Sequence, residues 1–133
     1  MPIDHLMINA NRYDESVQFY SWLMPQIGYP EKHSYDGNDP MVGFAGPGGS
    51  LWLSNSAANL RSDNFHKRRV GLREIAFRAD SRAQVDAIAK QIEAHGGKIL
   101  DPPQNYPQYS PDYYSVFFTD PDGLKLEVVT YNK

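Results

Sequence analysis

Three side chains able to hold a divalent ion or to move a proton stand near the middle of short β-type runs: His5, Glu74 and Glu127. One imidazole and two carboxylates supply half an octahedral shell to a hard or borderline cation, leaving the remaining positions to water or substrate. A carboxylate in such a place can also act as a general acid or base. Strand side chains alternate between faces, which allows the three runs to be compared. From Ile3 to Asn9, Leu6 and Ile8 share one face, and Ile3, His5, Met7 and Asn9 the other. From Leu72 to Arg78, Ile75 and Phe77 lie opposite Leu72, Glu74, Ala76 and Arg78. From Leu124 to Tyr131, Leu124, Leu126 and Val128 oppose Lys125, Glu127 and Val129. One face of each run suits packing under a helix, and the other carries one metal-capable group. For each residue alone, the ordinary alternative is a polar group on the solvent side of an antiparallel strand.

The elements that must position these groups recur. Ile3 to Asn9 is followed by a helical segment in which Val17, Tyr20, Trp22, Leu23 and Ile27 recur at three- and four-residue spacing, with Asp14 and Glu15 in the first turn and Gly28 at the stop. Strand-like pieces follow at Pro30 to Tyr35, Met41 to Ala45 and Ser50 to Leu53, separated by turn signals at Asp36-Gly37-Asn38-Asp39-Pro40 and Gly46-Pro47-Gly48-Gly49. After a polar stretch from Asn55 to Arg69 the pattern restarts. Leu72 to Arg78 reads as a strand, and Ser81 caps a helix carrying Val85, Ile88, Ala89 and Ile92 that ends at Gly96-Gly97. Lys98 to Leu100 is a short strand, Asp101 to Asp112 a Pro- and Tyr-rich loop, and Tyr113 to Thr119 and Leu124 to Tyr131 two strands joined by Asp120-Pro121-Asp122-Gly123. Each half therefore reads β-α-β-β-β. One spacing separates Ile3 from Leu72, His5 from Glu74 and Ile8 from Phe77, and Gly28 and Gly96 match with a slip of one residue. That is the signature of a duplicated module. The expected organisation is one domain, with module one at about 1–54, a linker at about 55–69 and module two at about 70–133.

Composition narrows the functional classes. The chain has 133 residues, 41% of them hydrophobic, and 13 basic against 16 acidic side chains give a net charge of −3. That is enough apolar material for a core in one domain of ordinary size. The one basic cluster, His66-Lys67-Arg68-Arg69, is a short solvated run, so a nucleic-acid partner is not expected. With no cysteine, disulfides, thiolate metal sites and cysteine nucleophiles are excluded, and a reducing cytoplasm fits. Met1-Pro2-Ile3-Asp4-His5 has no basic or apolar leader pattern, and no apolar run approaches the roughly 20 residues of a spanning helix, so no membrane partner is expected.

At these residues the sequence resembles the vicinal oxygen chelate superfamily, which includes glyoxalase I, fosfomycin- and bleomycin-resistance proteins and extradiol dioxygenases. The resemblance spans nearly the whole chain. It is carried by Ile3-Asp4-His5 and Val17-Gln18-Phe19-Tyr20, by Gly71 to Phe77, and most of all by Tyr113 to Glu127 with its Asp-Pro-Asp-Gly turn before a mid-strand Glu. It implies an α+β fold: paired βαβββ modules forming a U-shaped, partly closed mixed β-barrel with helices outside. It further implies a metal acting as a Lewis acid on a substrate bound through neighbouring oxygens, and assembly as a homodimer. Carried over by position, His5, Glu74 and Glu127 are the metal ligands, and Glu74 and Glu127 the acid–base candidates. Glu74 stands where relatives usually place His, which makes the site harder and more anionic. The first-module counterpart of Glu127 falls near Leu53, where a four-ligand glyoxalase I has a carboxylate, so the site resembles the three-ligand fosfomycin-resistance version. That branch's tyrosine before the Asp-Pro-Asp-Gly turn is replaced here by Phe117.

Met7, Trp52, Arg78, Tyr109 and Tyr113 are the candidate lining of a substrate pocket, Arg78 either holding an anionic group or pairing with Glu74. His33 and His95 read as solvated or helix-end histidines. His66 lies in the linker, from which it could swing toward the site, with nothing in the sequence to fix it there. Gly46-Pro47-Gly48-Gly49 lacks the Lys-Ser/Thr and helix of a phosphate loop. The expectation is a metal-dependent lyase, isomerase or transferase acting on a small molecule, its ion (Mn, Ni, Zn, Fe or Mg) unresolved. The alternative is a metal-free module that sequesters a drug or metabolite.

Overall fold

Alternating apolar residues generate two four-stranded mixed sheets, each with a helix packed on one face. A computed structural model describes residues 3–61 and 65–133. Residues 62–64 of the expected linker and Met1-Pro2 at the N-terminus lie outside the described residues. The chain divides into two compact units, Met1–Asn64 and Phe65–Lys133.

The first unit contains β1 (His5–Ala10), α1 (Tyr13–Gln26), β2 (Glu31–Tyr35), β3 (Met41–Gly46) and β4 (Gly49–Asn55), with sheet order β1-β4-β3-β2. β1 runs parallel to β4, and the other pairs are antiparallel. α1 buries Ser16, Phe19, Tyr20, Leu23 and Met24 against Val42, Phe44, Leu51 and Leu53. The expected stripe is thus rotated: Val17 and Trp22 sit half-buried at its margin. At 3.6 residues per turn, Ser16, Phe19/Tyr20 and Leu23/Met24 form the contiguous inner face.

The second unit repeats the path with β5 (Ile75–Arg78), α2 (Arg82–Ala89), β6 (Lys98–Asn105), β7 (Tyr114–Thr119) and β8 (Lys125–Thr130), ordered β5-β8-β7-β6. α2 is capped as its sequence indicates, the Ser81 hydroxyl accepting from the Gln84 N–H at 3.1 Å. Val85, Ile88 and Ile92 are fully buried, as are Val116, Phe118, Leu126 and Val128. Tyr114, on that same face of β7, donates its hydroxyl to Asp86 on α2 at 2.6 Å. Among the described residues no helix is long and apolar enough to cross a membrane.

Both units stop their helical segments in the same way. Tyr29 N–H reaches Met24 C=O and Gly28 N–H reaches Pro25 C=O; Gly97 N–H reaches Ile92 C=O and Gly96 N–H reaches Glu93 C=O. Gly28 at φ 89° and Gly96 at φ 98° occupy the left-handed position this closure requires. In the second unit the α-helix proper ends at Ala89, and a short 3-10 turn, Glu93–His95, carries the chain to the glycine.

Two strands differ from expectation. β5 starts at Ile75, so Leu72, Arg73 and Glu74 lead into it rather than lying within it. β6 continues to Asn105 through Pro102 and Pro103, where a loop from Asp101 was expected. It is an edge strand whose register shifts between Ile99 and Asp101 and again between Asp101 and Gln104. Edges and irregularities are where proline's missing N–H can be accommodated.

Candidate functional site

On the face of the second sheet turned away from α2, Glu127 occupies the centre. It pairs with Ala76 across β5 and with Phe117 across β7. Alternation brings Lys125 and Val129 to the same face, with Ser115 and Thr119 opposite them. Glu127 is only 3% exposed. Its carboxylate accepts a hydrogen bond from the hydroxyl of Tyr113, the residue just before β7. Glu74, two positions before Ala76, reaches the same face. Its Oε2 lies 3.4 Å from Lys125 Nζ, an ion-pair approach rather than a well-formed hydrogen bond.

Aromatic rings wall this carboxylate pair. Tyr113 meets Tyr109 edge-on at 5.2 Å, Tyr131 at 5.2 Å and Tyr106 at 6.2 Å, and Tyr106 meets Phe117 at 5.4 Å. Two cations sit over rings of the wall: Arg78 at 4.8 Å from the Tyr131 centroid and Lys125 at 4.8 Å from that of Phe117. Arg78 is therefore engaged by an aromatic ring, an arrangement different from the pairing with Glu74 offered as one alternative.

Burial sets the electrostatics. Loss of water pushes the Glu127 carboxyl above its usual range. The Tyr113 hydrogen bond opposes that shift, and the nearby Ser115 hydroxyl, itself buried without a well-formed hydrogen bond, does so too; the neighbouring charge of Glu74 adds to the rise and Lys125 counters it. The Tyr113 phenol is pushed far above its ordinary value, first by burial and then by its bond to Glu127.

In the first unit, His5 is half exposed, and its Nδ1 lies 2.7 Å from Asp4 Oδ1. A carboxylate on Nδ1 orients an imidazole and leaves Nε2 free, the arrangement common behind metal-binding histidines. Met7, on the same side of β1, pairs with Trp52 on β4. The register corrects one expectation. Ala76 pairs with Glu127 in the second sheet, and Met7, its counterpart, pairs with Trp52 in the first. The counterpart of Glu127 is therefore Trp52, not Leu53, whose side chain is fully buried on the α1 side.

The second sheet thus gathers Glu74, Glu127, Arg78, Tyr109 and Tyr113, and the first sheet gathers His5, Met7 and Trp52. Among the described residues no three His, Cys, Asp or Glu side chains form a ready-made metal cluster. Alternation along β8 placed Lys125 on the face of Glu127 without giving it a role, and sequence reasoning missed Phe117 and Tyr131 as neighbours of Glu127. The same alternation, carried four residues past Glu127, could have found Tyr131.

The sequence profile of the Glyoxalase/Bleomycin resistance protein/Dioxygenase superfamily matches residues 2–128, and the chain belongs to this superfamily. It is 30% identical over 131 residues to the metallothiol transferase FosB of Shouchella clausii, covering 96% of this chain and 79% of that one. It is 26% identical over 125 residues to the uncharacterized protein YqjT of Bacillus subtilis, covering 94% and 95%. Among solved structures, a putative glyoxalase from Bacillus halodurans superimposes with a TM-score of 0.79 at 28% identity, covering 96% of this chain and 94% of that one. The architecture is accordingly the α+β one of paired βαβββ modules, as the resemblance implied.

Proposed function

We propose that this protein is a metal-dependent enzyme that acts on a small molecule through a bound divalent ion, as a lyase, isomerase or transferase. Glu127 and Glu74 would hold the ion, and His5 is the third ligand that the family resemblance implies. The observation that carries this reading is Glu127 itself: a carboxylate buried at the centre of a sheet face behind a wall of aromatic rings, which costs stability and calls for a use. The donor set fits a hard or borderline ion, and His5 has the Asp4 support that ligating histidines favour. The similarity to a metallothiol transferase favours the transferase arm.

The ion, when bound, supplies Lewis acidity to substrate oxygens. The chain's own residues do the rest. Tyr113 fixes the rotamer of Glu127 through its hydroxyl. Tyr106, Tyr109, Tyr113, Tyr131 and Phe117 keep water from Glu127, and Arg78 and Lys125 provide positive charge for an anionic substrate group. Where substrate displaces one carboxylate from the ion, the freed Glu74 or Glu127 would take or return a proton at the reacting carbon. The working form is a cytoplasmic homodimer.

A second reading is a metal-free module that sequesters a small molecule. It draws on the fact that both carboxylates already have partners, Glu127 in Tyr113 and Glu74 in Lys125. Elemental analysis of the purified protein separates the two. One divalent ion per chain, lost in Glu127→Ala, supports the enzyme; no ion after incubation with manganese, nickel and zinc supports the sequestering module.

A further inference from the structure

We propose that the first unit carries a stacking platform for a planar conjugated ring of a small-molecule ligand, built by Trp52, His33 and Tyr35 over the bare backbone of Gly43. Register sets this row: Gly43 pairs with Trp52 on one side and with His33 on the other. The three positions lie side by side on the face turned away from α1, and the middle one has no side chain.

The indole fills that gap. A Cβ on Gly43 would come within 2.8 Å of the indole Cε2 and Cζ2 atoms and 2.9 Å of Cδ2, so the ring lies directly against the Gly43 backbone. The His33 ring is parallel to it within 6°, with centroids 5.8 Å apart. Tyr35, two residues along β2, is tilted by 23° at 6.2 Å. Trp52 Nε1–H donates to Ser50 Oγ at 3.2 Å, which fixes the indole orientation. The result is a set of nearly parallel, offset rings with the indole seated on the Gly43 backbone and oriented by Ser50.

This floor is open to water. Tyr35 is 54% exposed, and Met7, beside Trp52, is 53% exposed. Contiguous apolar surface that a fold leaves open marks a place for a partner or ligand. Parallel, offset rings select a planar π system over a saturated body of equal size, because stacking adds to area burial only when the faces match. The corresponding row of the second unit is Asp101, Phe117 and Glu127. Two copies of one sheet have thus diverged, one toward carboxylates and the other toward a stacking surface.

The proposal rests on the small-molecule part of the proposed function and not on the ion. Trp22 and Trp52 are the two tryptophans of the chain, so Trp22→Phe leaves Trp52 as the reporter. Full-length protein is titrated in EDTA with naphthoate, and with decahydronaphthoate as a saturated acid of the same charge and ring-carbon count. Naphthoate is expected to change Trp52 emission saturably, and decahydronaphthoate to bind at least tenfold more weakly. By calorimetry, Trp52→Ala should weaken naphthoate binding by about tenfold or more, with Trp52→Phe recovering part of the loss. If Trp52→Ala lacks the native circular dichroism, His33→Ala, which removes an exposed ring, gives the same reading with a loss of several-fold. Equal binding of the two acids, unaltered naphthoate affinity in the variants, or no naphthoate binding at millimolar concentration overturns the platform. Naphthoate binding by a chain that takes up no metal overturns the ion and leaves the platform standing; metal uptake without naphthoate binding does the reverse.

Discussion

The Tyr113 hydroxyl donates to the buried carboxylate of Glu127, tying the loop before β7 to the middle of β8. Taking a carboxylate out of water is costly, and a phenol donor on one oxygen offsets part of that cost without adding a second charge. A lysine in that place would form a buried ion pair and hold both oxygens electrostatically. The phenol orients Glu127 without adding a cation beside it, an arrangement suited to meeting a cation or a proton.

Tyr113→Phe removes that donor and leaves the carboxylate with one partner fewer. Stability at neutral pH is expected to fall by about 1–3 kcal/mol, the range for orphaning a buried charged acceptor, read from urea midpoints. The sign with pH follows from the phenol. Its folded proton affinity is raised, so the stability from this bond is fully present below about pH 10 and is lost as pH rises through the folded pKa. The gap between wild type and Tyr113→Phe should therefore be constant from neutral pH to about pH 10 and narrow beyond it. A gap that widens there contradicts the assignment of the bond.

Glu127→Gln separates the stability of the fold from the use of the carboxylate. The folded carboxyl holds its proton more tightly than the unfolded one, chiefly because it is buried. The stability linked to its protonation is complete below the unfolded pKa and is lost as pH rises through the folded one. A glutamine neither titrates nor pays desolvation of a charge, and its amide oxygen still accepts from Tyr113. The variant is expected to melt at least as high as wild type near pH 7, to show no advantage near pH 4, and to take up no manganese or zinc. Melting curves at the two pH values and metal uptake are the readouts; unchanged metal uptake would remove Glu127 from the ligand set.

Much of this was legible because strands have a period of two. Alternation alone puts Glu127 opposite Leu126 and Val128, and matching strands, helices and the Gly28 and Gly96 stops mark the repeat in the sequence. Register was the harder quantity. The family resemblance places the counterpart of Glu127 near Leu53, within Leu51-Trp52-Leu53, and a shift of one residue turns every side chain to the other face; hydrogen bonding across β1 and β4 selects Trp52. Pro102-Pro103 argued against a strand, and what permits one, a place at the sheet edge, is a property of the assembled sheet. The Tyr113–Glu127 bond depends on how two strands pair, and local composition carries no trace of it.

The cap of α2 gives a purely structural test. Ser81 accepts from Gln84 N–H, while the Gln84 side chain accepts from Asp80 N–H at 2.7 Å. Ser81→Ala leaves one donor of the first turn without its partner and is expected to cost about 0.5–2 kcal/mol. Thermal or urea unfolding measures it. Metal uptake should be unchanged, because the cap lies at the start of a helix packed on the opposite face of the sheet from Glu127.

Asp120 connects the most family-specific turn of the sequence to the site. Its Oδ1 accepts from Asp122 N–H and from Leu124 N–H, both at 2.9 Å, and Gly123 closes the turn with φ 91° and an N–H to Asp120 C=O. These bonds set where β8 begins, and so the phase in which Lys125 and Glu127 face the aromatic wall. Asp120→Ala strips one acceptor from two backbone donors, one of them buried, and is expected to cost about 2–4 kcal/mol, summing the loss at two donors. Asp120→Asn keeps an oxygen in place and should cost less than half as much. Because the turn phases β8, Asp120→Ala is also expected to weaken metal uptake while Asp120→Asn preserves it. Urea unfolding and metal titration of the two variants side by side test both halves; full metal affinity in a destabilised Asp120→Ala would show that β8 keeps its phase without the turn.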